Sequence, residues 1–230
     1  DKLRLVIVPY GRLHYIPFHA LLHQSSEERT PEIIHAPSAT VLLAYCCAKP
    51  PARGRGGAVF SVGDDLRYVE REAAAVAARL AGPWFHNLAA TVAAAIGESA
   101  DYPILHFACH AHFDPEDPLA SGLTLADGRL TVRQILDDLR LHADLVVLSG
   151  CETGQNRLHR GDELIGLVRA FIYAGTPSVL VSLWPVDDVS TGLLMETFYA
   201  HLLAGHSPAA ALASAQQTLR TLPTVALRQR

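Results

Sequence analysis

A thiol and an imidazole stand in matching surroundings in this chain, each closing an apolar run of strand character. Tyr102-Pro-Ile-Leu-His-Phe-Ala-Cys109 leads into His110, and Ala143-Asp-Leu-Val-Val-Leu-Ser-Gly150 leads into Cys151. A cysteine attacks as its thiolate, and its free pKa near 8.5 must be lowered, or a base must stand beside it, for useful reactivity at neutral pH. His110 is the natural base. Open parallel sheets gather ligands and catalytic groups beyond the carboxyl ends of their strands. A thiol and an imidazole delivered there from neighbouring strands have the chemistry of a cysteine peptidase. Backbone N–H groups at Cys151 and at Ala111, just past His110, are the candidate oxyanion donors, each worth on the order of 3 kcal/mol when well placed.

The elements that must carry these groups are legible as an alternation. Short apolar runs at Leu3–Pro9, Ala58–Gly63, Ile104–Cys109, Leu145–Gly150 and Ser178–Trp184 read as strands covered on both faces. They are expected to form one parallel core. Helical patterns fall between and around them at Ser38–Ala48, Leu66–Ala81, Thr91–Ser99, Thr131–Leu139, Asp162–Ala174, Val189–Ala204 and Pro208–Leu222. The alternation implies βαβ units with helices on both faces of the sheet. Gly82-Pro83, Gly175-Thr-Pro177 and Gly205-His-Ser-Pro208 each place a glycine past a helix end, and Ser207-Pro208 reads as an N-cap with proline at the first helical position.

At 230 residues, half of them apolar, the chain can bury one generous core, so one α/β domain is expected. Pro50-Pro-Ala-Arg-Gly-Arg-Gly-Gly57 divides a front section, 1–50, from the main α/β core, 58–222. The strand-like start and the helical end with a basic tail suit one domain of a longer protein. A net charge of −4 with interspersed signs offers no basic stripe for nucleic acid or an anionic membrane. No apolar run approaches bilayer length, and the first residues do not open a signal peptide. Cys46, Cys47, Cys109 and Cys151 lack the dense spacing of a disulfide scaffold, which fits a reducing cytoplasm. Two lysines against 17 arginines suggest a GC-rich bacterial source.

Several stretches together carry a family resemblance. They are Val6-Ile-Val-Pro9 with His14-Tyr-Ile-Pro-Phe-His-Ala-Leu21, Ala36-Pro-Ser38, His106-Phe-Ala-Cys-His110, Leu148-Ser-Gly-Cys-Glu-Thr-Gly154, Gly161-Asp-Glu163 and Ser182-Leu-Trp-Pro-Val-Asp-Asp188. In this order the chain resembles the CHAT domain, a caspase-like family grouped with separases, gingipains and caspases that often follows tetratricopeptide repeats in bacterial proteins. The resemblance implies a three-layer α/β/α caspase-like sandwich, His110 as general base, Cys151 as nucleophile, and no cofactor. His110 precedes Cys151 by 41 positions, against about 50 in caspases. It further implies that Ser182, Leu183 and Trp184 pair with substrate backbone by β-augmentation. Asp188, with Asp187 beside it, is the matching candidate for a pocket that accepts a basic side chain before the scissile bond. Related peptidases usually have glycine where this chain has Ala111, whose Cβ is expected to crowd the loop, and many have alanine where it has Gly150. The partners implied are a protein or peptide substrate and a tetratricopeptide-repeat or other regulatory region, through which activity would be gated.

Other chemistries fit less well. His110-Ala-His-Phe-Asp114 echoes a metal-hydrolase H-x-H-x-D, yet Pro115 follows and no second cluster completes a zinc site. No phosphate-binding G-x-x-x-x-G-K-[ST] exists, and Ser149 stands where a G-x-C-x-G elbow needs glycine. Cys109 is expected in the core, His106 as a hydrogen-bonded core or loop histidine, and Asp187 and Asp188 compete for the role of cap at the following helix. A non-catalytic interaction module on the same fold is the alternative of a different class, and Ala111 is the feature that favours it.

Overall fold

The computed structural model describes residues 3–23, 32–47, 56–63, 67–149, 160–182, 186 and 188–222. In chain order the elements are β1 (Arg4–Ile7), α1 (Phe18–His23), β2 (Glu32–His35), α2 (Ala39–Val41) continuing into a π-helical turn, β3 (Ala58–Ser61), α3 (Arg67–Leu80), β4 (Trp84–His86), α4 (Val92–Glu98) and β5 (Ile104–Ala108). They continue with β6 (Ala111–His112), β7 (Gly122–Leu125), β8 (Gly128–Thr131), α5 (Val132–Asp138), β9 (Leu145–Ser149), α6 (Arg160–Ala174), β10 (Val179–Val181), α7 (Asp188–Leu203) and α8 (Pro208–Thr221).

The central sheet has the order β10-β9-β5-β3-β4, with every neighbouring pair parallel. Each strand is short and apolar because both of its faces are covered. One face carries Phe60, Phe107 and Leu148 against Ile135 of α5 and Phe171 of α6; the other carries Val59 and Val147 against Val76 of α3 and Phe198 of α7. Phe85, Phe60 and Phe107 occupy register-paired positions on adjacent strands. Their rings stack with centroids 4.7 and 5.0 Å apart, so pairing and packing choose the same register. α3 shows why its sequence is a helix in this place: Val69, Ala73, Val76, Ala77 and Leu80 recur at helical spacing and are all buried. The result is a three-layer α/β/α sandwich, as expected.

The stops at Gly175 and Gly205 act as read, whereas after α3 the left-handed position is taken by Ala81 at φ +52° and not by Gly82. After α6, Gly175 takes φ +121°, its N–H donates to Ile172 O, and Thr176 N–H donates back to Phe171 O at 3.1 Å, which closes the helix in a Schellman turn. Ser207 caps α8 by accepting from Ala210 N–H, with Pro208 in the first turn.

One strand departs from expectation. β1 does not join the central sheet; it pairs in parallel with β2 in a separate two-stranded sheet. Its neighbours in space explain this, because Leu3, Leu5, Val6 and Val8 are all exposed, whereas Val59, Phe60, Val146 and Val147 of the central strands are sealed from solvent. Arg4, in the middle of the run, reaches Glu32 across the pair at 3.3 Å, a polar link that a strand buried on both faces could not easily carry. The place left at the sheet edge is taken by β4, whose three residues are too few to announce a strand by pattern.

Candidate active site

β5 and β9 are adjacent and parallel, with Ile104 opposite Leu145 and Ala108 opposite Ser149. The pairing continues one step past the strands, where Cys109 N–H donates to Ser149 O at 3.2 Å. His110 follows, half-buried, at the carboxyl edge of the sheet. Cys151 stands two residues after Ser149 in sequence, as His110 stands two after Ala108. Cys151 lies outside the described residues, as do Leu183, Trp184 and Asp187. Ser182 is half-buried one residue past β10, and Asp188 is the first residue of α7, whose amino end therefore follows the edge strand of the sheet.

The loop expected after His110 is a strand. β6 pairs antiparallel with β7, with Ala111 opposite Leu123 and His112 opposite Gly122, and β7 pairs with β8. Thr124 N–H donates to His110 O at 2.8 Å, which fixes the backbone immediately before Ala111. That bond also sets the parity of the ladder: Ala111 and Leu123 form a non-hydrogen-bonded pair, so the Ala111 N–H points away from β7. β6 is the outer strand of this three-stranded sheet, leaving that N–H on an edge with no described strand beside it. The Ala111 methyl does not crowd the turn, contrary to expectation. It is 5% exposed and sits in the core with Cys109 and Leu123, and among the described non-glycine residues only Ala81 and Asn87 have positive φ. No left-handed conformation is required of residue 111, so alanine replaces glycine here without strain.

Gly122 has the opposite constraint. A Cβ there would meet Leu130 O at 2.2 Å and Thr131 Cα at 2.7 Å, both backbone atoms with nowhere to retreat. Gly122→Ala is expected to cost about 1–3 kcal/mol by overpacking, read as a lower denaturation midpoint; Gly97→Ala, where a Cβ meets nothing within 4 Å, is the control and should not lower it.

Cys109 is buried in the core as expected. His106 proves more than a satisfied core histidine. It is fully buried between two helices: its Nδ1 lies 3.1 Å from the Tyr199 hydroxyl of α7, and its Nε2 lies 3.2 Å from Glu72 Oε1 of α3. Burial, and then the neighbouring Glu72 carboxylate, push the Tyr199 phenol well above its ordinary range, so it stays protonated and shares a hydrogen bond with Nδ1 while Nε2 faces Glu72. The Nε2–Oε1 contact has ion-pair distance but not the alignment of a hydrogen bond. Glu72 carried a signal in the sequence, since it falls on the apolar stripe of α3 three residues after Val69, where an acid has no solvent. Tyr199 had none, because α7 is apolar on nearly every side.

The H-x-H-x-D echo is not assembled as a cation site. The Asp114 carboxylate accepts from Glu116 N–H and Asp117 N–H, and those bonds, Asp117 first, hold its pKa below the ordinary carboxylate value. It closes a turn. Among the described residues no group of three His, Cys, Asp or Glu side chains is gathered as a metal would need.

Comparison with known proteins agrees with this architecture. The CHAT domain family matches residues 2–229. Tetratricopeptide repeat protein 28 of Mus musculus is 39% identical over 92 residues, and that of Homo sapiens 38% over 92 residues. Each of these matches spans 40% of this chain and only 4% of the relative's length. With the match running almost from end to end and the parallel sheet flanked by helices, the chain belongs to the CHAT domain family, a family of caspase-like peptidases.

Proposed function

We propose that this chain is a cysteine endopeptidase in which His110 is the general base and Cys151 the nucleophile. The observation that carries the reading is the β5–β9 register. Ala108 faces Ser149, and the imidazole and the thiol each follow two residues later on strands that are direct neighbours. His110 takes the thiol proton, and the thiolate attacks the peptide carbonyl. The tetrahedral oxyanion is held by the N–H groups of Ala111 and Cys151, the protonated imidazole gives its proton to the departing amine, and water hydrolyses the acyl-enzyme. The edge of β6 at Ala111, which no described strand covers, supports the oxyanion role.

Ser182, Leu183 and Trp184 follow β10, the outer strand of the sheet, and are proposed to add the substrate as a further strand. Asp188, seconded by Asp187, gives the pocket its charge and selects arginine or lysine before the scissile bond. In a peptide library, wild type should enrich basic residues at that position and Asp188→Ala should lose the enrichment at least about tenfold, the loss of one desolvated charge pair. Enrichment of apolar residues, unchanged in the variant, would remove Asp188 from the pocket.

The substrate is proposed to be a protein, and a tetratricopeptide-repeat region is the proposed regulatory partner, since both relatives carry those repeats in their names. No described helix is long and apolar enough to cross a membrane. The cytoplasmic setting rests on cysteine usage.

A further inference from the structure

We infer that the leaving-group side of the substrate lies over β3 and β4, and that Glu70 with His86 forms a subsite there for a basic residue about three places after the scissile bond. The inference rests on the peptidase reading above. In that mechanism the group that protonates the departing amine is His110, at the end of β5, while the carbonyl carbon is attacked from the end of β9. The acyl part of the substrate extends toward β10. The sheet order β10-β9-β5-β3-β4 then leaves one direction for the departing chain, across the carboxyl ends of β3 and β4.

Those ends carry polar groups that nothing in the mechanism uses. Ser61, the last residue of β3, is opposite Ala108 on one side and His86 on the other. Its hydroxyl accepts from Trp84 Nε1–H at 2.8 Å and lies 3.1 Å from His86 Nδ1. The Asn87 amide, held by Gly63 N–H donating to its Oδ1, directs Nδ2 at His86 Nε2, so Nε2 accepts, Nδ1–H donates to Ser61, and the ring is fixed with Nε2 directed outward. There Nε2 meets Glu70 Oε1 at 3.6 Å and Asn87 Nδ2 at 3.1 Å. Glu70 lies in the first turn of α3, so it stands at the same edge of the sheet. Its side chain is 61% exposed, against 32% for His86. The imidazole is anchored by β3, and the more exposed carboxylate is open to a ligand at this edge. Beyond it Leu88 is 88% exposed, an apolar surface for the stem of a long side chain.

Distance fixes which substrate residue this is. Neighbouring strands are about 4.8 Å apart, so β4 lies about 10 Å from β5, and an extended peptide advances about 3.3 Å per residue. The third residue past the bond therefore reaches Glu70, and a carboxylate there takes arginine or lysine.

The test uses the whole chain and a set of peptides with one constant acyl half, in which arginine or glutamate is placed singly at each of the four positions after the scissile bond. Wild type should prefer arginine over glutamate about fivefold at the third position, falling toward unity as salt is raised, as an exposed charge pair does. Glu70→Gln should bring the ratio to about one, and Glu98→Gln, on α4, should leave it as in wild type. No preference at any of the four positions, or one that survives Glu70→Gln, overturns the subsite while Cys151-dependent cleavage upholds the peptidase reading. No cleavage of any peptide overturns both.

Discussion

Cys151→Ala is expected to reduce peptide hydrolysis by at least about 1,000-fold, and His110→Ala by a similar factor, because a nucleophile and its base act as one unit and losing either removes most of the shared effect. The double variant should be little worse than the single ones. This non-additivity separates a dyad from two residues that merely support the fold, whose losses would combine. Two of the other cysteines provide the contrast by burial, while Cys47 is exposed. Cys109, the residue after β5, is buried in the core next to His110 in the chain. Cys46 lies far along the chain in the helical turn after α2, its thiol held above its ordinary pKa by burial and by Cys47. A thiol reagent near neutral pH should therefore find Cys151 before Cys46 and Cys109, and its lead over the exposed Cys47 measures activation by His110.

The second large effect is on stability. Glu72→Ala is expected to cost about 3–5 kcal/mol, because it leaves His106 facing an empty space in a site closed to water. For a domain of this size that corresponds to a fall in melting temperature of roughly 6–20 °C. Tyr199→Phe removes only the hydroxyl, at about 1–3 kcal/mol for a buried imidazole nitrogen left without its hydrogen-bond partner. Glu72, His106 and Tyr199 join α3, β5 and α7 at one point, 3.1 and 3.2 Å apart in successive contacts. β5 leads to His110, the proposed general base, and α7 begins at Asp188, the proposed specificity residue, so loosening this junction is expected to free the two sides of the proposed site from each other. Chemical denaturation of the single and double variants tests the coupling, and equal, additive losses below 1 kcal/mol would show that the three residues do not act together.

Four of the five central strands and all the long helices could be read from the residues, since period and breakers agree there. Leu145–Leu148 is uniformly apolar, the α3 stripe repeats at helical spacing, and Gly175 and Gly205 end helices where they stand. β1 was legible as a strand but not as to sheet: its apolar run resembles the others, and only burial by distant elements decides which sheet a parallel strand joins. β6, β7 and β8 were missed because two- and four-residue strands containing Gly122 and Gly128 carry no lasting alternation. At the site, His110 and the oxyanion candidate Ala111 stood out from strand-end position and resemblance. The Ser61–His86–Glu70 contacts did not, because they join β3, β4 and α3 by side chains up to 25 residues apart, a relation that no local pattern records.

The central claim is that Cys151 is an activated nucleophile served by His110, and intact-mass detection of covalent capture tests it most directly. An electrophilic peptide ending in arginine is incubated with wild type, with Cys151→Ala and with His110→Ala, beside a leucyl probe of the same length. The account predicts one adduct on wild type, none on Cys151→Ala, much slower labelling of His110→Ala, and faster capture of the arginyl probe than of the leucyl one. An adduct that persists in Cys151→Ala, or a wild type that neither probe labels, would contradict it.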